Sequence, residues 1–152
     1  MQQALQEAQQ TNITPSFNYL HLMLPHYPFA YDSLGRRITP FWKRKSFTMQ
    51  DVEQAYLQYT VYANKRLQKF ITELQQRTAG KAIILLLSDH GYRTNRPQMD
   101  RTLPYKTINA IYLPQQNYGA WYDSMTNVNQ FRALLNTSFG QELPMLKDSI
   151  VR

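Results

Sequence analysis

Two periodicities divide the chain. Alternation with a period of two marks residues 17–24, where Phe17, Tyr19, His21 and Met23 fall on one side of an extended backbone and Leu20, Leu22 and Leu24 on the other. Both sides are largely apolar, which predicts a central strand covered on both faces. Pro25 and Pro28 end it, and a polar loop through Gly35, Arg36, Arg37 and Pro40 follows, where function would sit. A helical period then takes over: Val52, Ala55, Tyr56, Tyr59, Ala63, Phe70, Ile71 and Leu74 share a stripe expected to face a sheet. Thr48 with Asp51 makes a capping box at its start, and Gly80 stands where a C-terminal cap belongs.

The run after Gly80 is continuously apolar and short, Ala82-Ile-Ile-Leu-Leu-Leu87, which predicts a buried parallel strand and is far too brief to span a bilayer. Strand, long helix and strand read as a right-handed βαβ crossover, which brings the ends of the two strands to one carboxyl edge. Ser88, Asp89, His90 and Gly91 stand just beyond that edge, where open α/β sheets place their ligands. A carboxylate beside an imidazole suits a divalent metal, with Gly91 letting the backbone turn, although such a pair is also an ordinary loop start. A polar, Arg-rich loop over residues 92–106 leads to a further strand over 107–113. A last helix is expected to bury Val128, Phe131, Leu134, Leu135 and Phe139 and to stop at Gly140.

The phrase Ser88-Asp89-His90-Gly91 resembles the metal motif of the alkaline phosphatase superfamily, in its sulfatase-like and lipid-headgroup phosphotransferase branches. Residues 17–29, with Pro25-His26-Tyr27-Pro28 at their end, are similar to the strand and histidine loop that precede this motif in the same superfamily. Residues 109–114 resemble the next family strand, and residues 128–132 a helix start found in bacterial sulfatase-like proteins. The resemblance runs from Phe17 to about Asp148, and its specific elements are the Asp-His-Gly and Pro-His-x-Pro phrases. It implies an alkaline phosphatase-like α/β fold, with a mostly parallel sheet and flanking helices, that is incomplete here. Residues 1–152 are then one segment, the C-terminal part of a sulfatase-like hydrolase or phosphotransferase domain.

The same resemblance makes Asp89 and His90 metal ligands, and turns His26 toward the transferred group or a second metal, with Arg93 as a further contact for an anionic oxygen. An imidazole ligand favours zinc first and manganese second over calcium or magnesium. His21, inside the strand, reads as a packed or outer-shell residue. Family members carry the nucleophile, a threonine, serine or formylglycine, and an acidic ligand upstream of the histidine loop; neither is found before Phe17. The chain alone is therefore expected to be inactive, and its partners are an anionic phosphate or sulfate ester and the remainder of the parent domain. With only His21, His26 and His90 as histidines, a second metal site is not expected.

Composition narrows these readings. With 43% hydrophobic and 13% aromatic residues the chain is globular in character, and without cysteine it has neither disulfides nor a thiolate site nor a cysteine-derived formylglycine. The start, residues 1–10, is a polar helix former rather than a signal sequence, and the chain carries no address of its own. The resemblance suggests a bacterial, periplasmic or outer-face membrane-associated setting. A net charge of +7 favours anionic partners. The basic and aromatic run over residues 41–47 could rest on an anionic membrane surface, though packing beneath the long helix is the plainer reading, and no nucleic-acid motif accompanies it. Two alternatives stand beside the main one. The first is a non-catalytic module, or degenerate remnant, that binds anions or a membrane surface. The second is a different α/β enzyme with Asp89 and His90 as a metal-free acid-base pair. Exposed apolar surface and a tendency to associate are further expectations.

Overall fold

The computed structural model describes residues 1–8, 15–40, 43–93 and 99–149, and the chain divides into two compact units, Met1–Gly80 and Lys81–Arg152. The first is dominated by helix α2, Met49–Arg77, with a short helix α1, Gln2–Glu7, against it. The capping box forms as its sequence demands: the Asp51 amide donates to Thr48 Oγ1 at 3.2 Å and the Thr48 amide donates to Asp51 Oδ2 at 2.7 Å. The Thr48 hydroxyl, which donates to Asp51 Oδ2 at 2.7 Å, and then the Thr48 amide hold the Asp51 carboxyl below its usual range. At the other end Gly80 takes a φ of +71° and its amide reaches the Gln75 carbonyl at 2.7 Å, closing the helix as a glycine can.

The N-terminal half of the apolar stripe of α2 is covered, within its unit, by a loop. Phe29 and Tyr59 are buried, with Leu24, Ala30, Tyr31, Ile38, Val52, Ala55, Tyr56 and Tyr62 packed around them. Tyr31 stacks on Tyr62 with ring centroids 4.9 Å apart, and Gly35, at φ +80°, passes so close that a Cβ there would lie 3.3 Å from the Tyr62 ring. Asp32 organises this loop by accepting from the Leu34 and Arg36 amides, both at 2.9 Å, and from Arg36 Nε at 2.7 Å; these donors lower its pKa. Gln58 and Lys65 on α2 bind the two backbone groups of Ser33 at 3.2 and 3.0 Å. Farther along, Arg77 donates to the Leu5 carbonyl at 3.2 Å beside the buried Leu5 side chain.

Residues 17–24 are not a strand in the structure. They keep the expected alternation, with Leu20, Leu22 and Leu24 half-buried and Phe17, Tyr19, His21 and Met23 exposed. Phe17 and Tyr19 are 79% and 76% exposed, the reverse of a doubly covered central strand. An extended run becomes a strand only by hydrogen bonding to a neighbour, and among the described residues it has no paired neighbour.

The second unit holds the described sheet: β1, Ile84–Leu87, pairs with β2, Asn109–Tyr112, in the register Ile84↔Tyr112 to Leu87↔Asn109. The pairing is antiparallel, a correction to the expected mostly parallel sheet. Between these strands lie loop segments and a 3-10 turn, Leu103–Tyr105, and a parallel return needs a crossover, usually a helix, that the described part of this connection does not contain. Helix α3, Asn127–Phe139, ends on Gly140 in the left-handed conformation, φ +62°, as the sequence predicts.

Its buried face differs from the expected one. Leu134 is buried and Leu135 half-buried as expected, but Val128, Phe131 and Phe139 are exposed, while Asn129, Gln130 and Ala133 are buried. The reason is polar. Trp121 Nε1 donates to Gln130 Oε1 at 2.8 Å, and the extended segment after the helix is held along α3 by side chains gripping its backbone. Asn129 donates to the Leu146 carbonyl at 2.8 Å and accepts from its amide at 2.9 Å. Asn136 does the same with Leu143 at 2.9 and 2.8 Å, and Arg132 Nε donates to the Pro144 carbonyl at 3.1 Å. Residues 129, 132 and 136 share one helical face, so the clasp follows from spacing.

Candidate functional site

The pairing of β1 with β2 runs one residue past the named strands and there fixes the start of the Asp-His phrase. The Ser88 amide donates to the Ile108 carbonyl at 3.0 Å, and the Ile108 amide donates to Ser88 Oγ at 2.8 Å. On the remaining side Asn127, the first residue of α3, donates its Nδ2 to the Ser88 carbonyl at 2.9 Å. Ser88 is thus held at its amide, its carbonyl and its hydroxyl, and Asp89 leaves from a fixed point. Asn127 Oδ1 is a buried acceptor with no hydrogen-bond partner among the described residues.

Gly91 fixes the other side of the phrase. A Cβ at Gly91 would lie 2.1 Å from the Leu103 carbonyl oxygen and 2.5 Å from that of Lys106, and its amide donates to the Pro104 carbonyl at 2.7 Å. The glycine was expected to permit a sharp turn. Its use is close approach instead, because no side chain fits between it and the 3-10 turn. That turn is itself braced by Asp100, which accepts from the amide and hydroxyl of Thr102 at 2.8 and 2.7 Å and from Lys106 Nζ at 3.1 Å. These bonds lower its pKa to about 2.

Between these two anchors the Asp89 side chain is 89% exposed and that of His90 28%. Asp89 Oδ1 accepts from the His90 amide at 3.0 Å, which leaves Oδ2 for another partner. His90 Nδ1 lies 2.6 Å from the Gly91 carbonyl, an oxygen that only accepts, so Nδ1 carries hydrogen and the neutral ring presents its lone pair at Nε2. Asp89 Oδ2 and His90 Nε2 are 3.7 Å apart. Two donors each about 2 Å from one ion can have that separation. The donor set therefore fits two positions of a divalent metal. Among the described residues no group of three histidine, cysteine, aspartate or glutamate side chains gathers around one point.

The remaining expected contacts lie elsewhere in the chain. His26 belongs to the first unit and is exposed, its Nδ1 2.5 Å from the Tyr27 carbonyl, so its Nε2 also presents a lone pair. It stands between two cis prolyl bonds, Leu24-Pro25 and Tyr27-Pro28. Arg93 follows the Asp-His phrase in the second unit and is exposed. Of the basic-aromatic run, Phe41 and Trp42 lie outside the described residues, while Lys43, Arg44 and Lys45 are exposed and Arg44 Nε donates to the Thr39 carbonyl at 3.2 Å. No helix is long and apolar enough to cross a membrane among the described residues.

Sequence reasoning passed over the residues that hold the phrase in place. In the sequence Ser88 stands out only as part of the Ser-Asp-His-Gly phrase, and Asn127 does not stand out. The available signal for Asn127 was its place at a helix start, and its bond to Ser88 spans 39 residues. A second network escaped notice at the same helix end: Asp148 accepts from the Thr126 amide at 2.8 Å, from Thr126 Oγ1 at 2.5 Å, from Asn129 Nδ2 at 3.1 Å and from the Tyr122 hydroxyl. The Thr126 hydroxyl first, then the Tyr122 hydroxyl and the Thr126 amide, lower the Asp148 pKa to about 2.

Compared with known proteins, residues 1–133 match the family model described as Sulfatase. Comparison with curated proteins and with solved structures gave no match.

Proposed function

Because this chain belongs to the sulfatase family, whose members act on sulfate esters and generally use a divalent metal, we propose that it supplies part of the metal and anion site of such a hydrolase or of a related phosphotransferase. The observation that carries this reading is the pair Asp89 Oδ2 and His90 Nε2, 3.7 Å apart at the end of β1 with their backbone fixed on both sides. Asp89 and His90 would hold the ion, zinc before manganese by ligand preference. When bound, the ion would stabilise negative charge on an ester oxygen and on the attacking group.

The protein's own residues prepare that site. The Gly91 carbonyl keeps the His90 proton on Nδ1, so that Nε2 is available without a change of tautomer. Ser88, gripped by Ile108 and Asn127, limits how far the carboxylate can wander. His26 and Arg93 are assigned to the anionic oxygens of the ester, His26 by its exposed Nε2 and Arg93 by its planar donors. That residues 1–152 form one C-terminal segment of the domain is also part of the proposal. The chain has no cysteine that could become formylglycine, and by itself it is proposed to be inactive toward esters.

Zinc and manganese calorimetry on the chain and on an Asp89→Ala/His90→Ala variant tests this. Binding that the double substitution abolishes supports the split site. Equal binding by both chains, or none by either, removes the metal assignment. The +7 charge favours one second reading, a non-catalytic anion-binding module, which requires salt-sensitive anion binding that neither chelation nor the double substitution alters.

A further inference from the structure

Three consecutive residues at the start of α3 are held from three directions. The carbonyl of the buried Met125 accepts from Asn109 Nδ2 of β2 at 2.9 Å. Asn127 reaches the end of the other strand, donating its Nδ2 to the Ser88 carbonyl at 2.9 Å. Between them Thr126 stands at the N-cap, where a threonine hydroxyl ordinarily accepts from an amide of the first turn. Here it caps no amide. It donates to Asp148 Oδ1 at 2.5 Å, and the Thr126 amide donates to the same oxygen at 2.8 Å. The side chain that would cap the helix is turned instead to the segment that follows it. Asn127, meanwhile, depends on a fixed backbone. Its Oδ1 is buried with no hydrogen-bond partner among the described residues, so a single bond, to the Ser88 carbonyl, orients its amide. A shift of residue 127 would pass through that bond to Ser88, and from Ser88 to Asp89 beside it.

We propose that Asp148 is a positioning residue for the Asp89-His90 pair, acting through Thr126, Asn127 and Ser88. The inference rests on the reading of that pair as metal ligands. Asp148 lies outside residues 1–133, the part of the chain that matches the family model. Its hydrogen-bond partners among the described residues are Tyr122, Thr126 and Asn129, so its route to the pair is this chain of contacts. Two bonds on Thr126 fix the backbone from which Asn127 extends, and Asn127 then holds the point from which Asp89 leaves the strand. Outer contacts of this kind tune a metal site by limiting where its ligands stand.

Amide resonance spectra and zinc calorimetry on the full chain test this. In the metal-free chain, Asp148→Ala should move the Asn127 side-chain amide and the Asp89 and His90 backbone amides, while the amides of β1 stay in place and verify the fold. Thr126→Val, which removes only the hydroxyl bond, should move the same amides less far. With zinc, Asp148→Ala should weaken binding about tenfold, and Asp148→Asn, which keeps an acceptor for Thr126, should restore most of it. Asn136→Ala frees the Leu143 end of the same segment and should leave the affinity unchanged. Asn127→Ala should weaken zinc binding by a similar factor, and Asp148→Ala added to it should bring no further loss. Losses that multiply overturn the route. So do Asp89 and His90 amides that stay in place in both Asp148→Ala and Thr126→Val, or an Asn136→Ala loss equal to that of Asp148→Ala, which would make the segment a general brace. If the unaltered chain takes no zinc, the metal reading of the pair fails, and the metal-free amides still decide the coupling.

Discussion

Residues 17–24 and 81–88 carry similar hydrophobic runs, each closed by a polar phrase with a histidine, yet only the second contains a strand. The difference is in partners. Leu85, Leu86 and their neighbours meet Ile111 and Ala110 in an antiparallel register, and Ser88 extends the pairing at both its amide and its hydroxyl. Residues 17–24 have the alternation without a paired neighbour, and their larger side chains stand in solvent. A hydrophobic pattern specifies which faces want cover; it does not specify what provides it.

The widest gap between the two regions should be in amide exchange. Amides paired in β1 and β2 are expected to exchange about a thousandfold or more slowly than those of residues 17–24. Mass-spectrometric exchange checks this, and protection of residues 17–24 would erase the contrast. Gly91→Ala should come next, lowering the stability of the second unit by about 2–3 kcal/mol, because the added methyl meets two carbonyl oxygens with no flexible side chain to give way. Denaturant unfolding followed by Trp121 fluorescence reports it. Asn129→Ala should cost about 2 kcal/mol in the same assay, since the Leu146 amide and carbonyl lose their partner. Ser88→Ala should cost about 1 kcal/mol and loosen Ile108, sharpening the claim that the strand end rather than the strand positions Asp89.

The smallest effect is one of pH. Asp148 has a folded pKa of about 2 against an ordinary 3.8, so the unfolded chain takes up a proton first as pH falls. The stability it contributes is complete above about pH 4 and is lost toward pH 2. Thr126 amide exchange should rise across that window, and Asp148→Asn should remove the dependence at this site.

Local chemistry was legible in the sequence. Thr48 with Asp51, Gly80 and Gly140 announced the ends of α2 and α3, since each cap depends on residues a few positions apart. Long-range choices were not. The sense of β1 against β2, the loop that covers Tyr59, and the burial of Asn129 and Gln130 in place of Val128 and Phe131 all depend on which distant segment arrives. At the candidate site the phrase Asp89 and His90 could be read directly, whereas the hold of Asn127 on Ser88 and the shortage of space at Gly91 arise only once the chain has folded. The exposed apolar residues agree with the expected surplus of uncovered surface.

The grip of α3 on residues 143–146 has an evolutionary corollary. Asn129, Arg132 and Asn136 hold peptide groups, so the letters of the held segment are free to drift while the helix keeps its hold. Proline is the informative exception. At position 144 the helix asks only for a carbonyl, and a proline stands there; at 143 and 146 it asks for an amide hydrogen as well, and proline is the residue those positions cannot become.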